Sequence, residues 1–104
     1  MKPSMRLLNT CRVTLFTRPN CSLCDDAKVV LSKVWDVRPF DYQEINVMAP
    51  GQEEWKNVYE FDTPVVHVDK AFRCQTTTFS LKTMHKIMPD QIHQLMDKVE
   101  KGGS

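Results

Sequence analysis

Cys21 and Cys24, in the run Cys21-Ser22-Leu23-Cys24, are the residues of this chain best equipped for chemistry. Where a loop becomes a helix, the first turn offers backbone N–H groups without a partner in the helix, together with the positive end of the helix dipole. Both stabilise a thiolate, whose free acid has a pKa of about 8.5. Cys21 is then a nucleophile toward a disulfide. Cys24, one turn later on the same face, is placed to attack the resulting mixed disulfide and release the substrate as a thiol. Arg18 adds positive charge just upstream, whereas Asp25 and Asp26 oppose it if they turn toward the sulfur. The other common use of such a pair is zinc, which usually takes four ligands. Cys11, Cys74, His67, His85 and His93 supply no second short pair, so no metal site is expected. Cys11 and Cys74 read as single packed thiols, the histidines as non-catalytic, and Met84, Met88 and Met96 as packing.

The elements that must position the pair follow from periodicity. Arg12 to Thr17 is β-branched and aromatic and ends at Arg18-Pro19-Asn20, which predicts a buried first strand. From Cys21 the apolar residues Cys24, Ala27, Leu31 and Val34, with Val30 beside them, recur at three and four, the signature of a helix face. Asp25 and Asp26 fall in its first turn, and Trp35 to Phe40, with Pro39, ends it. Tyr42 to Val47 predicts a second strand. Gln52 to Phe61 predicts a short amphipathic helix through Trp55, Val58, Tyr59 and Phe61, broken at Asp62-Thr63-Pro64. Val65 to Val68 is a compact strand with Asp69-Lys70 as its turn, Ala71 to Ser80 an irregular hairpin tip, and Leu81 to Ile87 the fourth strand. Pro89 opens a last helix to about Lys101, with Ile92, Leu95, Met96 and Val99 as its buried stripe. The order βαβαββα predicts an α/β fold. Its sheet is four-stranded and mixed, with helices on both faces, a right-handed parallel βαβ start and a closing hairpin. Residues 1–11 read as a flexible lead-in, 12–101 as one domain and 102–104 as a tail.

The segment from Val13 to Cys24, with Thr17-Arg18-Pro19-Asn20 leading into the cysteine pair, resembles the first strand and active-site loop of glutaredoxins, and more closely a small glutaredoxin-like subgroup. Thr63-Pro64-Val65-Val66 is similar to the family's Thr/Val-Pro-Val segment, and about forty residues separate it from Cys24, as in the family. The resemblance covers roughly Arg12 to Lys101. It implies a thioredoxin-like fold and a thiol–disulfide oxidoreductase with Cys21 as nucleophile and Cys24 as resolving thiol. It also implies a cis peptide bond before Pro64, which lies opposite the pair, so that Arg18, Thr63 and Pro64 line the substrate site. The implied substrate is a disulfide-containing protein or a glutathione mixed disulfide, with glutathione as co-substrate and no bound cofactor. The departures are Ser22-Leu23 in place of the usual Pro-Tyr, the lack of the Gly-Gly turn and of the Cys-Asp-Asp segment that holds part of glutathione, and the added length of Ala71 to Ser80. The alternative function is a catalytically weak binding module that uses the groove at Pro64 to hold a partner.

Composition bounds the size of the fold and the kinds of partner. A 104-residue chain that is 41% hydrophobic can bury one core. Fourteen basic against thirteen acidic residues leave +1, so no broad attraction to nucleic acid or anionic membrane is built in. The apolar runs fall far short of the roughly 20 residues that span a bilayer, so no membrane partner is expected. A monomer is expected. The four cysteines, with no secretory h-region before them, favour an intracellular and cytoplasmic location. The basic, acid-free stretch from Met1 to Arg12 is the mark of the mitochondrial alternative.

Overall fold

The computed structural model describes residues 10–102, so the expected lead-in through residue 9 and the end of the tail lie outside the described residues. The elements are β1 (Cys11–Thr17), α1 (Ser22–Val37), β2 (Asp41–Asn46), α2 (Glu53–Tyr59), β3 (Val65–Lys70), β4 (Leu81–Met84) and α3 (Pro89–Glu100). The strands form one sheet in the order β2-β1-β3-β4. β1 and β2 run parallel, with Val13 opposite Tyr42 and Leu15 opposite Glu44. β3 is antiparallel to β1 and β4 antiparallel to β3. This is the α/β architecture that the sequence predicts.

Alternation along β1 and β3 divides the core between two faces. Cys11, Val13, Leu15, Val66 and Val68 turn to one face and pack with Ala27, Leu31 and Val34 of α1 and Ile92, Met96 and Val99 of α3. Phe16 and Val65 turn to the other, with Ile45, Val47 and Tyr59, and Trp55 packs against them. The Phe16 ring lies 4.6 Å from Trp55 and 5.1 Å from Tyr59 between centroids, so seven residues of α2 cover their half of the sheet with aromatic rings. Arg38, the C-cap of α1, reaches Asp97 and Glu100 of α3 at 2.9 Å each and ties the two helices of the first face together.

Several boundaries differ from the sequence reading. β1 begins at Cys11, whose side chain is fully buried, so the strand takes in the last residue assigned to the lead-in. Asp69 and Lys70 continue β3 rather than turning it, because Asp69 is buried and paired within the fold. β4 stops at Met84, where His85 takes a left-handed φ of 71°. α2 stops at Tyr59: Phe61 lies beyond its end and is 85% exposed, and Val58 is also exposed, so the apolar spacing there overstated the buried face. Asp25 is the acidic residue in the first turn of α1, and Asp26 falls just past it.

Residues 71–80 form a loop seated on the polar part of the second face. Thr76 Oγ1 is 2.8 Å from Nδ1 of His67, and Tyr59 Oη is 2.6 Å from its Nε2. Ser80 Oγ lies 3.0 Å from Thr76 Oγ1 and donates to Asp69 Oδ1 at 2.5 Å. Arg12 approaches the other Asp69 oxygen at 3.9 Å and donates to the Arg73 carbonyl at 2.6 Å. A neutral imidazole, donating at one nitrogen and accepting at the other, satisfies both of its neighbours.

Candidate active site

The site is built where β1 ends. Thr17 is buried, and its carbonyl accepts from Val47 N at 2.9 Å, which fixes the end of the strand. Arg18-Pro19-Asn20 then leaves the sheet, and Asn20 adopts a φ of 59°, a left-handed conformation that asparagine tolerates better than most residues. The next residue, Cys21, is the N-cap of α1 in extended geometry. Its Sγ accepts the backbone N–H of Cys24 at 3.1 Å, and its carbonyl accepts from Cys24 N and Asp25 N at 3.1 and 3.2 Å. The sulfur therefore takes the part that a serine or aspartate oxygen plays at other helix starts.

The two thiol positions are unequal. Cys21 is half-buried and opens onto clefts on both sides of the loop, whereas Cys24 belongs to the inward stripe of α1 and is 2% exposed. They are joined as a disulfide, with Cα atoms 5.2 Å apart. An external thiol can therefore reach one sulfur of this bond and hardly the other.

One of the clefts, about 320 Å³, brings Arg18, Cys21 and Thr63 together. The Thr63–Pro64 peptide is cis, as the resemblance implies. Pro64 itself is buried, and its carbonyl accepts from His85 N at 2.8 Å. Arg18 is exposed, and its guanidinium donates to the Glu60 carbonyl at 3.3 Å. The structure thus gathers three of the five proposed residues around one opening, Cys21, Arg18 and Thr63, while Cys24 is buried behind Cys21 and joined to it, and the buried Pro64, next in the chain, does not line the opening. Leu23 and Phe61, both exposed, add apolar surface to that opening. Their part was not read from the sequence; Leu23 lies inside the cysteine pair, but Phe61 looked like a core residue of α2.

The remaining cysteines and histidines lie elsewhere. Cys11 is buried in β1, where desolvation raises its thiol pKa, the Glu100 charge adds to the rise, and hydrogen bonding with Thr10 opposes it. Cys74 is exposed on the 71–80 loop. Burial holds the His67 pKa down to about 4; the Lys82 charge acts in the same direction and Asp69 against it. Among the described residues no group of three or more His, Cys, Asp or Glu side chains could hold a metal ion, and no helix is long and apolar enough to cross a membrane.

Comparison with solved structures places this geometry in a known fold. The chain is similar to thioredoxin-2 of the malaria parasite at 15% identity and a TM-score of 0.63, covering 86% of this chain and 84% of that one. It is also similar to chloroplastic thioredoxin z at 18% identity and a TM-score of 0.63, over 90% and 81% of the two chains. Thioredoxin 1 from the thermophilic eubacterium Thermosipho africanus matches at 12% identity and a TM-score of 0.60, over 86% and 94%. At these identities the likeness speaks for the thioredoxin-like fold. Residues 12–97, from the first strand through most of α3, match the model of the glutaredoxin-like domain (DUF836), and the chain belongs to that family.

Proposed function

We propose that this protein is a glutaredoxin-like thiol–disulfide oxidoreductase with Cys21 as nucleophile and Cys24 as resolving thiol. The observation that carries the reading is the inequality of the pair. Cys21 Sγ sits at the start of a sixteen-residue helix, accepts a backbone N–H and opens to solvent, while Cys24 is 2% exposed.

In the reduced protein the helix N-terminus favours the Cys21 thiolate, because the N–H groups and the dipole stabilise negative charge there. That thiolate attacks one sulfur of a substrate disulfide. A Cys21–substrate disulfide forms, the substrate S–S bond breaks, and the first substrate thiolate leaves and takes up a proton. Cys24 then loses its proton and attacks Cys21 Sγ. This closes the Cys21–Cys24 disulfide and releases the second substrate thiol, so two electrons have passed from the pair to the substrate. Two molecules of glutathione, or the dithiol of a reductase, return the pair to its reduced state. The substrate is a protein disulfide or a glutathione mixed disulfide, and the Arg18–Thr63 side of the opening, with Pro64 next in the chain, receives it.

The test is turnover of a glutathione mixed disulfide with regeneration coupled to glutathione and its reductase. Cys21→Ser is expected to reduce the rate to the uncatalysed background. A variant that keeps the parent rate would overturn the assignment in favour of a binding module.

A further inference from the structure

The second cleft at Cys21 does not end near the sulfur. It continues along a trough between α1 and the edge strand β2. On the helix side Asp25, Lys28, Ser32 and Trp35 follow at spacings of three and four, so they share one face. On the strand side Asn46, Glu44 and Tyr42 alternate onto one face of β2. Lys28 and Glu44 wall both the hollow of about 560 Å³ that contains Cys21 and the next one, of about 410 Å³, that contains Trp35 and Tyr42. The two hollows therefore adjoin, with the Lys28–Glu44 pair at their junction. At its far end Trp35 and Tyr42 are each 47% exposed, an uncommon position for two large rings facing one concavity. Both are held in place: Trp35 Nε1 donates to the Phe40 carbonyl at 3.1 Å, and Tyr42 Oη donates to Glu44 at 2.8 Å.

We propose that this trough docks the substrate protein: an extended segment on one side of the target cysteine lies along it and seats a large apolar side chain in the hollow of Trp35 and Tyr42. The inference rests on the oxidoreductase reading and adds a substrate class to it. Continuity with the Cys21 cleft names the occupant, since a chain held in disulfide linkage to Cys21 already has its neighbouring residues at the mouth of the trough. Beyond Arg18 the walls carry Asp25, Asp36 and Glu44 against Lys28, so the segment crossing them is basic. The Lys28–Glu44 pair, 3.2 Å apart and partly exposed, crosses the trough, and a pair of that kind is weak enough for a ligand to part or overlie. Helix rise sets the length. Fourteen residues at 1.5 Å separate Cys21 from Trp35, about 21 Å, which an extended chain spans in about six residues. The anchoring side chain accordingly lies about six residues from the substrate cysteine.

The test uses synthetic peptides with one cysteine in mixed disulfide with glutathione, a lysine midway, and Trp or Ala six residues away on either side. A small organic disulfide serves as reference substrate. With the wild-type protein, Trp is expected to raise kcat/KM about tenfold over Ala on one of the two sides, and Trp35→Ala is expected to bring that ratio to about one. Tyr42→Ala gives the same test from the strand wall should Trp35→Ala fail to fold. Equal kcat/KM for the Trp and Ala peptides on both sides, with the small disulfide still reduced, overturns the trough and leaves the oxidoreductase standing. A preference that survives in a folded Trp35→Ala or Tyr42→Ala variant overturns it too. Failure of the wild-type protein to reduce even the small disulfide overturns the oxidoreductase reading and the trough with it.

Discussion

Three cysteine environments show how position alone assigns chemistry to a thiol. Cys11, buried in β1 with its pKa raised by desolvation, stays a protonated, packed side chain. Cys24 is as deeply buried but one helical turn from a partner sulfur, and that proximity suits it to the resolving role in the proposed reaction. Cys21 has the exposed helix start. His67 is the contrasting titratable residue: fully buried, bonded on both nitrogens and held down to about pKa 4 from an ordinary 6.5. The unfolded chain therefore binds a proton between these values that the folded chain resists, so stability is complete above about pH 6.5, falls as the pH drops, and levels below about 4. The difference corresponds to about 3 kcal/mol. Urea unfolding at pH 7 and pH 4.5 should show most of that loss in the wild type and much less in His67→Gln, which is less stable at pH 7 but carries no proton-linked group there. Equal losses in the two proteins would contradict the assignment. The cysteine pair was legible in its own spacing, and the cis bond before Pro64 through the resemblance of Thr63-Pro64-Val65-Val66 to the glutaredoxin segment. The His67 network was not, because Tyr59, Asp69, Thr76 and Ser80 come from α2, β3 and the following loop, and only folding brings them together.

At the scale of elements, α1 was the clearest in the sequence because Cys24, Ala27, Leu31 and Val34 repeat at helical spacing and all four are buried. α2 was read too long and β3 too short for related reasons. Phe61 is apolar but exposed beside the Cys21 opening, and Asp69 is acidic but buried beneath a loop, so each breaks the rule that polarity reports burial. The 71–80 loop is held to β3 by side-chain hydrogen bonds rather than by apolar packing. Thr76→Val keeps its shape but removes the hydroxyl between His67 and Ser80, leaving a buried nitrogen without its partner at a cost of about 1–3 kcal/mol. The urea midpoint of Thr76→Val should fall accordingly, while that of Thr78→Val, at an exposed position, should stay within about 0.5 kcal/mol of the parent. An unshifted midpoint in Thr76→Val would mean that the loop is not anchored through this hydroxyl.

For the whole molecule, the fold is a device for presenting one sulfur and concealing its neighbour. The parallel β1-α1-β2 unit brings the end of a buried strand directly to the start of a helix, and the antiparallel β3 sets the Thr63 end of its loop beside that point. α3, tied to α1 through Arg38, backs the helix that carries the pair. The parallel βαβ start and the closing hairpin followed from the order of elements in the sequence, whereas the antiparallel pairing of β3 with β1, the Arg38 tie and the trough along β2 did not, because they depend on which strands and helix faces meet in the fold. The claim on which the functional account rests is that Cys21 attacks the substrate disulfide and holds one half of it as a mixed disulfide. Its most direct measurement is mass spectrometry of the Cys24→Ser protein after reaction with a disulfide substrate, with Cys11 and exposed Cys74 as internal comparisons. The expected result is a stable mixed disulfide on Cys21, formed faster than any adduct on Cys74 and lost when Cys21 is also replaced by serine. Adducts on Cys74 with Cys21 left unmodified would contradict the account.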